Sequence, residues 1–309
     1  MTSCEHLTCV SDTGGGPRRV LDGVSLTIEA GEIVAVVGSP QDGPSTLLRA
    51  LAGLAATATG HVVAPVVTGP RRWIPGFGYV RAGLTGPADL SAVEWLRHVA
   101  DQRGGPVRAR AVRVQAALAL VGLGPEAGRR IGLLDRDAAE RLAVATLAVA
   151  GAEVLLLDGC FAGVGALTRR HLSEALADLA AQGRAVVLAP LDVRAVEDLA
   201  TRVAVLRDGR LLADLRMAAV QQERVAELRL NGGALAGVPR IAAHFPDAVR
   251  TGMGIDVPLT GGRTLEAILA VCRTERIPVL GTCVRYRAVD DLLIPARRAP
   301  DPARVAALG

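Results

Sequence analysis

Apolar residues run without a break over 33–37 (IVAVV). They give way to a glycine-bearing loop, Gly38 to Gly43, and then to a segment where Leu47, Leu48, Leu51 and Leu54 recur at helical spacing. The first run predicts a buried strand, and the second a helix that starts near Pro44 with one buried leucine stripe. The alternation returns downstream. Residues 153–158 (EVLLLD), 185–189 and 202–206 predict strands, with helices over 167–181 and 193–200 between them and a turn at 207–209. Unbroken apolar strands alternating with helices indicate a parallel sheet covered on both faces.

Three further patterns frame that core. Residues 5–30 alternate apolar and polar positions around a turn at 11–17, which predicts antiparallel strands ahead of the loop strand. After the leucine helix the chain returns to the sheet by Val63, and a Pro- and Gly-rich loop (65–76) leads to FGYVRAGL. From 90 to about 150 the spacing is helical throughout, over 91–102, 107–121 and 138–150, an all-helical insertion. Beyond 217–222 the order is strand 225–230, helix 234–244, strands 248–251 and 254–259, helix 264–276 and strand 279–286. That βαββαβ order predicts a small α+β, ferredoxin-like unit. The expected domains are 1–217, 218–295 and a loose Pro- and Arg-rich tail, 296–309.

Composition changes the picture in two places. Half of the 309 residues are apolar but aromatics are only 2%, so the core must be built from Ala, Val and Leu. All 35 cationic residues are arginine, so no lysine is available anywhere in the chain. A net charge of +4 with scattered arginines gives little support for nucleic-acid binding. Cys4, Cys9, Cys160, Cys272 and Cys283 form no metal spacing and read as reduced, buried small hydrophobes. No apolar run is long enough for a membrane span; the best, 142–157, is broken by Thr146, Gly151 and Glu153.

Strand, glycine loop and helix together are the setting of a phosphate-binding loop, in which backbone amides and a helix N-terminus cradle a polyphosphate. The pattern Gly-x-x-x-x-Gly-Lys-Ser/Thr would run from Gly38 through Gly43 to Ser45, followed by Thr46, but its lysine position holds Pro44. Proline suits the first turn of a helix, where its fixed φ is pre-organised, so the replacement keeps the architecture while removing the charge. Asp42 adds a negative charge inside the loop, and Gln41 stands where a glycine would relax it. Asp158, at the end of its strand, is read as either a magnesium-side ligand with Ser45 or a plain loop acid. Ser45 and Thr46 are read equally as first-turn polar residues, and the dispersed histidines as surface or core groups.

Residues 1–217 resemble the ATP-binding subunit of an ABC transporter, through VLDGVSLTIEAGEIVAVVG, STLLRALAGL, FGYV, DLSAVEWL, EVLLLD with FAGVGALTRR, and TRVAVLRDGRLLADL. Residues 225–294 resemble the C-terminal domain of the drug- and polyketide-exporter branch, with VRYRAVDDLLI where that branch ends in a Pro-Ser-Leu-Glu-Asp-Val-Phe-like sequence. The resemblance implies an α/β P-loop NTPase fold of the ABC type, with the helical insertion and the ferredoxin-like domain added. It also places its expected catalytic groups on Gly159 (water-polarising glutamate), Leu191 (switch histidine), Ala82 (loop glutamine) and Gly165 (D-loop aspartate). LDRDA (134–138) stands for the Leu-Ser-Gly-Gly-Gln signature, putting Asp135 and Asp137 where a hydroxyl and a glycine cap the partner's γ-phosphate; an ordinary helix N-cap is the other reading. Asp290 and Asp291 match a structural position. No adenine-stacking aromatic stands near Cys9 and Val10.

What this implies is a catalytically degenerate cassette subunit, a non-hydrolytic or regulatory partner of an exporter permease. It would be cytoplasmic and peripheral at the inner face of the membrane, paired with a competent ATPase or with itself. No firmly held cofactor is expected, and Mg-ATP is at most a weak ligand through Gly38, Gly43, Ser45, Thr46 and Asp158. The rival readings are a divergent ATPase using Arg49, Arg71, Arg72 or Arg81 on the phosphates, and a soluble scaffold that has left transport.

Overall fold

The structure is a computed structural model that describes residues 2–12, 17–63, 76–83, 86–252, 254–289 and 292. Residues 13–16 of the turn expected at 11–17, most of the 65–76 loop with Arg71 and Arg72, Asp290, Asp291 and the tail lie outside the described residues. The chain divides into two compact units, Met1–Asp214 and Leu215–Gly309.

In the first unit, strands β1 (Thr2–Asp12) and β2 (Pro17–Ile28) form an antiparallel ladder, as the alternating pattern predicts. Strand β3 (Ile33–Val37) is buried along its whole length and ends in the loop that opens helix α1 (Pro44–Leu51). Strand β4 (Thr59–Val63) returns to pair with β1, completing a sheet ordered β2-β1-β4. Strand β5 (Phe77–Arg81) leads to the helices α2 (Ala92–Arg103), α3 (Val107–Leu120) and α4 (Arg136–Ala150). Ser91 and Glu94 make a capping box that starts α2. Strand β6 (Val154–Asp158), helix α5 (Ala166–Ala181), and strands β7 (Ala185–Ala189), β8 (Arg202–Arg207) and β9 (Arg210–Arg216) follow.

The second sheet runs β5-β6-β7-β3-β8-β9, with parallel pairing at β5/β6, β6/β7, β7/β3 and β3/β8. One face of α1 (Leu47, Leu48, Leu51) packs with Leu7, Leu21 and Ile28 of the antiparallel sheet and with Val34, Val36 and Leu156 of the parallel one. A mainly aliphatic core, with Phe77 and Tyr79 packed at its margin, is thus achieved by placing one helix between two sheets.

Several expectations are corrected. Leu54 is not in the stripe: α1 stops at Leu51, Gly53 turns left-handed at φ 71°, and Leu54, its N–H bonded back to Arg49 O at 2.7 Å, is exposed. Residues 193–200 are not an α-helix but a single 3-10 turn, Val193–Val196, started by Asp192. Cys283 is exposed, whereas the other four cysteines are buried.

The second unit opens with α6 (Met217–Gln222), then β10 (Arg224–Leu230), a 3-10 segment (Gly232–Gly237), α7 (Val238–His244), β11 (Val249–Arg250), β12 (Gly254–Pro258), α8 (Leu265–Thr274) and β13 (Val279–Tyr286). The helix expected from 234 begins only at Val238. Its four strands pair antiparallel in the order β11-β12-β10-β13, the arrangement of a ferredoxin-like βαββαβ sheet. Leu228, Ile241, Ile255, Val257, Ile268 and Cys272 form its separate core. Among the described residues no helix is long and apolar enough to cross a membrane.

Candidate functional site

The site assembles at the C-terminal ends of the parallel strands, where open α/β sheets place their ligands. The loop after β3 makes a 3-10 turn, Pro40–Asp42, and reaches α1 through Gly43 at φ 97°. Glycine is required here twice over. A Cβ at Gly43 would be strained at that φ and would fall 2.8 Å from Leu21 Cδ2 and 3.0 Å from Val20 O. A Cβ at Gly38 would come within 2.7 Å of Leu206 O. Pro44 is buried at the first helical position.

The loop bonds largely to itself. Asp42 N–H donates to Ser39 O at 2.8 Å, and Ser39 N–H donates to Asp42 Oδ2 at 2.7 Å. Asp42 Oδ1 accepts Asp208 N–H at 3.0 Å, tying the loop to the turn after β8. The Asp42 carboxylate therefore occupies two backbone donors at the mouth of the cradle.

Ser45, in the first turn of α1, donates Oγ–H to Asp158 Oδ1 at 2.7 Å. Tyr79, on the neighbouring strand β5, donates its hydroxyl to Asp158 Oδ2 at 2.8 Å. Asp158 is 5% exposed, and each of its oxygens has a hydroxyl partner. Burial, then the Asp158 carboxylate, pushes the Tyr79 phenol well above its ordinary value, and Arg49 and Arg81 pull weakly the other way. Tyr79 is the residue the sequence reading missed. Its signal lies across strands, in β5 running beside β6 with Arg81 opposite Asp158.

The remaining positions fall around this pair. Ala82 N–H donates to Asp158 O and Gly159 N–H to Ala189 O, both at 2.8 Å. Gly159 is left-handed at φ 70°, and a Cβ there would lie 3.4 Å from Ala82 Cβ. Leu191, after β7, is exposed, and Thr46 is half-buried beside Ser45. Asp135 is the N-cap of α4, its Oδ1 accepting Ala138 N–H at 2.8 Å. Asp137 accepts Thr168 Oγ–H at 2.8 Å and Gly165 N–H at 3.2 Å, while Arg136 donates to Ala162 O. Both carboxylates of LDRDA are thus engaged within the chain: Asp135 caps α4 itself, while Asp137, with Arg136, ties α4 to the loop before α5 and to its first turn. Among the described residues no group of His, Cys, Asp and Glu could hold a metal ion by itself.

The fold and this loop define an ATP-binding cassette, and comparison with known proteins agrees. The family model for ABC transporters matches residues 21–162. The chain is 37% identical over 205 residues to the aliphatic sulfonates import ATP-binding protein SsuB 2 of Pseudomonas savastanoi pv. phaseolicola, covering 65% of this chain and 70% of that protein. The chain belongs to the ABC transporter ATP-binding family. It is also 33% identical over 212 residues to the macrolide export ATP-binding/permease protein MacB of Hyphomonas neptunium, covering 65% of this chain and 32% of that protein. Among solved structures, the dimeric ATP-binding cassette MJ0796 bound to ADP and Pi shares the fold, with a TM-score of 0.62 at 21% identity over 70% of this chain and 99% of that one. Relatives thus include both import and export proteins.

Proposed function

We propose that this chain is a cassette subunit that docks on an exporter permease at the cytoplasmic face of the membrane and does not hydrolyse ATP. The observation that carries the reading is the loop's own chemistry. Pro44 stands at the lysine position in a chain without lysine, and the Asp42 carboxylate takes the Ser39 N–H. Losing one charge-assisted lysine contact costs about 1.5–3 kcal/mol, roughly ten- to a hundredfold in affinity. A carboxylate about 5 Å from a phosphate charge adds repulsion of order 3 kcal/mol at an effective dielectric near 20. Pro44 also removes a backbone donor from the cradle. The phosphate side therefore does not fit a triphosphate, although Ser45 and Asp158 retain the hydroxyl and carboxylate that a magnesium ion favours.

Gly159 and Leu191 supply no group able to activate water or sense a γ-phosphate, which supports absence of turnover. The ferredoxin-like C-terminal unit, resembling that of drug and polyketide exporters, supports export over import. The partner would be a permease together with a competent ATPase or a second copy of this chain. In a mixed dimer the LDRDA segment would cap the partner's nucleotide, so that site should be slowed too. Equilibrium dialysis with millimolar Mg-ATP, together with co-purification from membranes, tests the proposal. Expected are no saturable nucleotide binding and recovery with a permease. Steady turnover by the purified chain, or binding that Asp158→Ala abolishes, would overturn it. The second outcome would favour a divergent ATPase using Arg49 and Arg81, the two cations close enough to act on the Tyr79 phenol.

A further inference from the structure

The end of the parallel sheet away from the phosphate loop gathers three arginines from different elements. Arg103 is the last residue of α2, Arg113 lies on α3, and Arg184 immediately precedes β7. Strands of five residues, β6 and β7, put about 16 Å between this corner and Asp158. The Arg103 guanidinium lies over Gly151, the left-handed residue that ends α4; a Cβ there would fall 2.0 Å from Arg103 Cζ. Arg184 Nη1 donates to Ala148 O at 3.5 Å, and Arg113 Nη2 donates to Gly104 O at 2.7 Å and to Ala100 O at 3.5 Å.

Cations do favour helix C-termini, and capping accounts for these carbonyl contacts. It does not account for three guanidiniums collected without an acid. Among the described residues none of the three has a carboxylate partner, and Asp101, the nearby acid on α2, is taken by Arg110 at 2.7 Å. Arg113 Nε is shielded from solvent and has no hydrogen-bond partner among the described residues. Burial holds Arg103 and Arg184 below the usual guanidinium range, and like charge lowers them further, Arg113 acting on Arg103 and Arg103 on Arg184. Like charges, Arg113 and Arg184 half-buried and Arg103 exposed, with spare planar donors match a tetrahedral oxyanion, which guanidinium forks bind in bidentate fashion.

We propose that Arg103, Arg113 and Arg184 form a second anion site that takes a phosphate or sulfate group, separate from the phosphate loop. The test is titration of the full chain with inorganic phosphate and with sulfate at constant ionic strength, read by calorimetry and by the thermal midpoint. Sodium chloride is the reference. Expected is saturable binding and a rise in midpoint not given by chloride. Affinity should fall by about tenfold or more in Arg103→Gln and in Arg184→Gln, the loss of one charge-assisted contact, and stay unchanged in Ser45→Ala. Methyl phosphate against inorganic phosphate then separates a group carried on an organic molecule from the free ion. The proposal fails if chloride gives the same shift, if both arginine variants keep wild-type affinity, or if Ser45→Ala alone abolishes binding.

Discussion

At one end of the six-stranded sheet, the loop shaped to hold an anion offers a proline, glycines and a carboxylate. At the other, three guanidiniums meet with no acid between them among the described residues. Helix α4 spans the distance, with Asp135 as its N-cap, Asp137 in its first turn, and Arg103 and Arg184 against its last. Each sign suits the helix end it occupies. Backbone shape and side-chain charge are therefore separable: the cradle keeps its glycines and helix start, while the cations that would make it attractive to phosphate lie elsewhere.

The widest test of that separation is to move charge back. Asp42→Asn with Pro44→Lys should raise Mg-ATP affinity by about a hundredfold or more, since it adds a charge-assisted contact and removes a repulsion. Calorimetry on both proteins would measure it. On the proposed reading the double variant should bind nucleotide without hydrolysing it, because Gly159 and Leu191 are unchanged. Wild-type protein binding as tightly as the variant would end the contrast between the two ends.

Next in size is the cost of disturbing the retained shape. Gly43→Ala must accept both a left-handed φ and contacts under 3.1 Å with Leu21 and Val20. A loss of about 2–4 kcal/mol is expected in denaturant melts. Gly122→Ala, at φ 63° with nothing within 4 Å of the added carbon, should lose only about 1 kcal/mol. Equal losses would mean that conformational strain alone, and not packing against β2, fixes the loop.

Much of this was legible in the chain itself, for definable reasons. The apolar run at 33–37, the loop glycines and a proline suited to a first helical turn all act locally, so strand, loop and helix follow from the sequence. Asp135 as an N-cap was readable because capping is also local. Leu54 was misread because helical spacing continues past the point where Gly53 ends the helix. Residues 193–200 misled because a short apolar periodic stretch cannot tell an α-helix from a 3-10 turn. Tyr79 on Asp158 and the meeting of Arg103, Arg113 and Arg184 depend on strand order and on helices converging from distant parts of the chain. No window of sequence contains them.

A smaller effect sharpens the phosphate-loop end. Tyr79→Phe deletes one hydrogen bond to a buried carboxylate, about 1–2 kcal/mol in denaturant melts at neutral pH. The phenol is raised in the folded protein, so the native state holds its proton longer than the unfolded chain does. Its contribution is complete below about pH 10 and declines as pH climbs above that value. The difference between wild type and Tyr79→Phe should therefore shrink in strong alkali. A constant difference would place Tyr79 outside the Asp158 interaction.

The smallest expected effect concerns Glu140, one turn along α4 from Arg136. It is buried, its Oε1 has no hydrogen-bond partner among the described residues, and the fully buried Cys160 lies close by. Burial raises its carboxyl above the usual range, and Arg136 offsets this only in part. A raised carboxylic acid is protonated more readily in the native state than in the unfolded one, so folding stability falls as pH rises from the unfolded value near 4.3. Glu140→Gln removes that penalty with little change of volume. The variant should be the more stable protein at pH 7, and its advantage should fade below about pH 4, where both states of the wild type carry the proton. Parallel urea melts at pH 4 and pH 7 measure both. If wild type instead gains on the variant between those values, Arg136 stabilises the ionised carboxylate more than burial opposes it. The middle of α4 would then join the paired acids at its N-terminus, and would not be an uncompensated charge between two compensated ends.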